Sequence, residues 1–132
     1  MIPFQAAIEL GEHLEQNNYH VEYDKFKEFK TFPMLLIEVD GSNYIKKSGS
    51  KVLKKRPKLF VTALVAMPQH KSYKEAKIQA ETLAQYVTND IAEFSSERFN
   101  LDPIGESESE LMIGSIKCCG VAIEYDVYTS NI

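Results

Sequence analysis

Cysteine and histidine are the residues through which this chain would do nucleophilic or metal chemistry. It holds two cysteines, Cys118 and Cys119, and three histidines, His13, His20 and His70. The two thiols are adjacent. Consecutive Cα atoms lie about 3.8 Å apart, whereas a relaxed disulfide prefers about 5.5–6 Å, so the pair is poorly placed to bridge itself. With no third cysteine there is no disulfide framework, which suits a reducing compartment. The histidines are scattered and show no metal-ligand spacing. The cysteines therefore read as small apolar strand residues, and the histidines as surface or boundary residues. Nothing marks a Cys–His nucleophile pair. Acidic groups such as Glu9/Glu12 and Glu106/Glu108/Glu110 fall on polar faces or loops, where a carboxylate keeps its ordinary pKa. Glycine-rich phosphate loops, Gly-x-Ser-x-Gly, His-Glu-x-x-His and the deaminase Cys-x-x-Cys are missing. No catalytic residue, cofactor site or metal site is expected.

The distribution of charge is more informative. The chain has 132 residues, 44% hydrophobic and 26% charged, and a net charge of −4. That composition describes one soluble globular domain, residues 1–132, and argues against a protein that coats nucleic acid over its whole surface. Yet between Asp40 and Glu75 there is no acidic residue. That stretch carries Lys46, Lys47, Lys51, Lys54, Lys55, Arg56, Lys58, Lys71 and Lys74, a net +9. The rest keeps six basic against 19 acidic residues, a net −13. One reading is simple solvation of a long loop by lysine. The sharper reading is that the basic segment 46–58 meets a negative surface. Nucleic acid is one candidate, through counterion release. The other is a second copy of the chain, whose acidic segment with Asp102, Glu106, Glu108 and Glu110 would receive the basic arm head to tail. Self-assembly is preferred. Nucleic-acid readers interleave aromatics or arginine with their lysines, and only Tyr44 and Arg56 are available here.

The elements that position these charges follow from periodicity. Pro3 suits a first helical turn, and Phe4, Ala7, Ile8, Gly11 and Leu14 recur at helical spacing, so a helix is expected over 3–17, stopped at Asn17-Asn18. Residues 20–30 read as a strand with a bulge near Lys25, and residues 34–40 as a second strand after the break at Phe32-Pro33. Residues 41–56 are a long connection, either a flexible loop or an extended hairpin arm with its tip near Ser48-Gly49-Ser50. Residues 58–67 are apolar on both faces and predict a central strand. Ser72 and Glu75 form a capping box ahead of a long helix over 73–95, with Ala76, Ala80, Leu83, Ala84, Val87, Ile91 and Phe94 on one stripe. Residues 96–110 are expected to be an acidic exposed loop. Residues 111–128 are strand-like, with a parity change at Cys119-Gly120 that predicts a bulge or a tight turn there. The fold class is α+β in two layers: one mostly antiparallel or mixed sheet of four to five strands, with the long helix across it and an N-terminal helix. No stretch approaches the ~18 apolar residues of a membrane span, and the start lacks the basic and apolar regions of a signal peptide.

This order of segments resembles a known family. It comprises an N-terminal helix, a strand pair containing Phe32-Pro33-Met34-Leu35-Leu36-Ile37, a long polar connection and an apolar strand over 59–67. Tyr73-Lys74-Glu75-Ala76 then opens the long helix, and Gly120-Val121-Ala122-Ile123-Glu124-Tyr125-Asp126-Val127 closes the chain. The pattern is similar to the tail-terminator, or tail-completion, proteins of tailed bacteriophages and prophages. The resemblance implies a small α+β subunit without enzymatic activity, forming a ring, typically a hexamer, that caps the tail tube and joins it to the head. Its partners would be further copies of itself, tail-tube and head-connector proteins, with DNA only passing through a lumen and no membrane contact. It would be cytoplasmic during assembly and then part of the virion tail or neck. The alternative expectation is a small nucleic-acid- or ligand-binding module that uses the basic segment 46–58.

Overall fold

The computed structural model describes residues 3–23, 31–48 and 51–129, with side chains given for 4–23, 31–40 and 57–128. Two helices, α1 (Pro3–Gln16) and α2 (Tyr73–Ala92), pack on a five-stranded sheet. The strands are β1 (Val21–Glu22), β2 (Met34–Ser48), β3 (Lys51–Ala66), β4 (Phe99–Ile113) and β5 (Ile116–Thr129). Their order is β1-β2-β3-β5-β4, with β1 parallel to β2 and every other pair antiparallel. The chain is thus α+β with a mixed sheet, as its periodicities predict.

Each helix forms for local reasons and is held by what it buries. In α2 the Ser72 side chain accepts from the Glu75 amide at 3.2 Å, while the Glu75 carboxylate reaches back to the Lys71 amide at 3.3 Å. The amide nearest the cap is satisfied, and a carboxylate sits at the positive end of the helix. Ala76, Ala80, Ala84, Val87 and Ile91 are buried. Three alanines in that stripe let the helix axis approach the sheet closely. The expected face is therefore correct, although regular helix ends at Ala92. In α1 the stop falls where expected: Asn18 adopts φ 70°, the left-handed conformation that asparagine tolerates. The buried face is rotated, however, toward Ala6, Ala7, Leu10 and Leu14, leaving Phe4 and Ile8 partly exposed at its margin. A Cβ at Gly11 would collide with the Tyr23 hydroxyl, so glycine there admits the tyrosine ring against the helix.

One core lies between the helices and the sheet. Leu35, Ile37, Leu59, Val61, Ala63, Val65, Cys119, Val121, Ile123, Tyr125 and Val127 meet both helices there. A smaller cluster of Met34, Leu36, Leu64, Ile113 and Cys118 lies on the other face. β3 is central, as its two apolar faces require. Across from Leu64 sits Gly120, where a Cβ would lie 2.9 Å from Leu64 Cδ2 and 3.2 Å from Thr62 Cγ2. The glycine makes room for the leucine.

Three expectations change. Residues 96–110 are not a loop: most of them belong to β4, which pairs with β5 from Phe99–Thr129 to Ile113–Ile116. β4 is an edge strand whose middle is exposed, so it needs no apolar face and shows no hydrophobic alternation. No bulge or turn occurs at Cys119-Gly120. The turn is at Gly114-Ser115, with Gly114 at φ 62°, and the register shift falls at Pro103/Gly105 on β4. The apparent change of parity arises because Cys118 and Cys119 are buried on opposite faces of one continuous strand. The described part of the expected strand over 20–30 is the two-residue β1, and the bulge near Lys25 lies outside the described residues.

Leu64 is fully buried in the smaller cluster. Leu64→Ala removes that packing and leaves a cavity, with an expected loss of about 2–5 kcal/mol in urea unfolding. Gly120→Val is expected to destabilise by about 1–3 kcal/mol through overpacking against the same leucine.

Candidate interaction surfaces

The connection 41–56 is a hairpin arm. β2 and β3 remain paired as far as Ser48–Lys51, with register shifts along the way, whereas β5 pairs with β3 only from Lys58 onward. Among the described residues, therefore, β2 and β3 continue beyond Asp40 as a two-stranded ribbon. Eight residues of β2 at about 3.3 Å each carry it roughly 25 Å past the three-strand body. Lys46, Lys47, Lys51, Lys54, Lys55 and Arg56 all belong to this ribbon. Lys58 does not. It sits in the body between Asp40 of β2 and Asp126 of β5, and its ammonium lies 2.9 Å from Glu124. That hydrogen bond raises its pKa and keeps it charged. Lys58 ties the root of the arm to the sheet.

The acidic residues lie at the far edge of the same sheet. Glu106, Glu108 and Glu110 stand opposite Ile123, Val121 and Cys119, on the face that α2 covers. Asp102 pairs with Asp126 and faces the other way. Glu106, Ser107 and Glu108 face Glu81, Gln85, Thr88 and Asn89 of α2 across a groove of about 580 Å³, with Val121 also lining it. A smaller recess of about 240 Å³ continues it toward Tyr73 and Lys77. Lys77 bridges to Glu108 at 2.8 Å, and Lys117 lies 3.8 Å from Glu110. The Tyr73 hydroxyl is hydrogen-bonded to Glu110, which raises its pKa. Glu81 of α2 is missed by reading the sequence, because its place beside Glu108 depends on how the helix lies on the sheet. Their carboxyls share a hydrogen bond, which raises the pKa of Glu81 and lowers that of Glu108. Two carboxylates thus converge where Lys77 supplies the bridging cation.

The arm and the acidic strand do not meet within one chain. β5 stands between β3 and β4, and the arm leaves the body beyond the last β3–β5 pair. Among the described residues the sheet order thus separates the arm from β4 by β5.

The candidate nucleophiles are placed elsewhere. Cys118 is fully buried, and burial pushes its thiol up to about 11; burial and then the Glu110 charge raise Cys119 as well. His20 lies 3.0 Å from Glu22, and His70 lies 4.0 Å from Glu75. His13 packs against Phe94 in a tilted ring contact at 5.1 Å and reaches the Asp90 carbonyl at 3.4 Å. Beside it, the Tyr19 hydroxyl donates to Asp90, and burial raises the tyrosine pKa. These contacts lock the end of α1 to the end of α2. Burial likewise raises Tyr125, under α2, to about 12. Among the described residues, no group of three or more His, Cys, Asp or Glu is placed to hold a metal ion, and no helix is long and apolar enough to cross a membrane. No model of a known protein family matches the chain, and no curated protein matches it in sequence.

Two expectations follow. Both thiols are expected to resist alkylation at pH 7 in the folded protein and to react fully in denaturant, as followed by mass spectrometry. Glu81 faces Glu108, Glu106 and Lys77, with Glu108 the first cause of its raised pKa. A raised carboxyl stabilises below its unfolded value and loses that contribution as pH rises through its folded value. Glu81→Gln keeps a donor toward Glu108 and removes the like charge. Its Tm is expected to exceed that of wild type at pH 7 and to converge with it toward pH 4.

Proposed function

We propose that this chain is a non-enzymatic assembly subunit of the phage tail-terminator type. Copies join head to tail into a ring that caps a tail tube and connects it to the head, with DNA passing through the lumen. The carrying observation is the separation of charge along the sheet. A basic two-stranded ribbon projects from one end, an acidic strand forms the far edge, and the fold keeps them apart within a chain. A two-stranded ribbon is marginally stable alone in water, so it gains from a partner surface. A heterologous contact of this kind closes into a ring when the rotation per subunit allows. The burial of both thiols supports a structural role over nucleophilic chemistry. On this reading the subunit works in the cytoplasm during assembly and then in the virion neck.

Light scattering with charge-reversed variants tests the reading. Wild type at low salt is expected near six times 15.0 kDa, falling toward one as salt screens the contact. Lys46→Glu/Lys47→Glu/Lys54→Glu/Lys55→Glu on the arm, or Glu106→Lys/Glu108→Lys on β4, is expected to be monomeric alone. An equimolar mixture of the two variants restores assembly, because each arm then meets a strand of opposite sign. Monomers in every mixture, together with tight salt-dependent binding of DNA by wild type, would overturn the ring in favour of the nucleic-acid module.

A further inference from the structure

The outer edge of β4 is open. β4 is the last strand of the sheet, and among the described residues nothing pairs with its far side. Edge strands with free N–H and C=O groups are templates for another strand, and proteins usually blunt them with proline, bulges or charge. Here proline and the register shift are confined to Pro103 and Gly105 at one end. From residue 105 to residue 113 the strand stays in unbroken register with β5 and contains no proline. Exposed Ile104 precedes this run and exposed Met112 lies near its end, with relative exposures of 44% and 57%. Its one guard is charge. Glu106, Glu108 and Glu110 alternate with Ser107 and Ser109, which sets like charges against any second β4 and favours a strand of opposite sign.

We propose that the outer edge of β4, over residues 105–113, takes the β2 side of the basic arm of a second copy as an added strand. This rests on the self-assembly reading and specifies its contact. The lengths agree: nine residues of open edge face an eight-residue run, 41–48, that contains no proline or acidic residue. The charges agree as well, because the arm is wholly basic and the glutamates outnumber the lysines that serve them. Main-chain hydrogen bonds would supply affinity, and the glutamate–lysine match would supply specificity. The added strand extends the sheet from one subunit into the next, so the arm gains the third strand that stabilises a ribbon.

Backbone hydrogen exchange of the full chain, read alongside light scattering, tests this contact. In assembled wild type at low salt, outward amides of residues 105–113 and of residues 41–48 are expected to slow together by roughly tenfold or more. They should return to the monomer rate at high salt and in Lys46→Glu/Lys47→Glu, while α2 amides stay unchanged. An assembly in which residues 105–113 exchange at the monomer rate overturns strand addition and leaves the ring intact. Protection of both segments in a dimer or an open filament upholds strand addition and overturns the ring. A chain that stays monomeric at low salt and ~1 mM overturns both.

Discussion

Everything distinctive about this molecule depends on the unequal pairing of β3. From Lys58 to Leu64 it is paired with β2 on one side and β5 on the other, and β5 alone continues to Ala66. This part is also packed on both faces, with Leu59, Val61, Ala63 and Val65 against the helices and Leu64 in the smaller cluster. Backbone groups buried this way must be hydrogen-bonded, and both neighbours provide that. Among the described residues, the 51–57 part of the same strand has β2 as its one neighbour. The strand is therefore core at one end and projecting arm at the other, and Lys58 marks the boundary. Its ammonium, set among Asp40, Asp126 and Glu124, ties the basic segment to the body of the sheet.

The helices complete that body by burying their apolar faces on the sheet. α2 packs its alanine stripe on β3 and β5, and its charged flank reaches β4 through Lys77 and Glu81. This flank decides the character of the far edge. It covers the base of the acidic strand but leaves a solvated groove, in which the carboxylates remain exposed. Both cysteines are buried, and His13 and Tyr19 each contact Asp90 of α2. The sheet thus carries basic residues along the arm, acidic residues along β4, and, among the described residues, an outer β4 edge with no neighbouring strand.

The sequence by itself determined the parts whose physics is local or strongly periodic. The capping box and stripe of α2, the asparagine stop of α1, the two-sided burial of residues 59–66 and the segregation of charge all follow from residue order alone. The tertiary structure decided the rest. Residues 99–113 are a strand only because β5 pairs with them; with no apolar face of their own, they carry no hydrophobic period to detect. The cysteines seem to break the alternation until both faces of β5 are seen to be covered. The arm is a hairpin because β2 and β3 remain paired after their other neighbour ends, a long-range register that no local spacing encodes. For the same reason the convergence of Glu81 with Glu108 and the separation of the arm from the acidic strand were out of reach: both depend on which elements lie side by side.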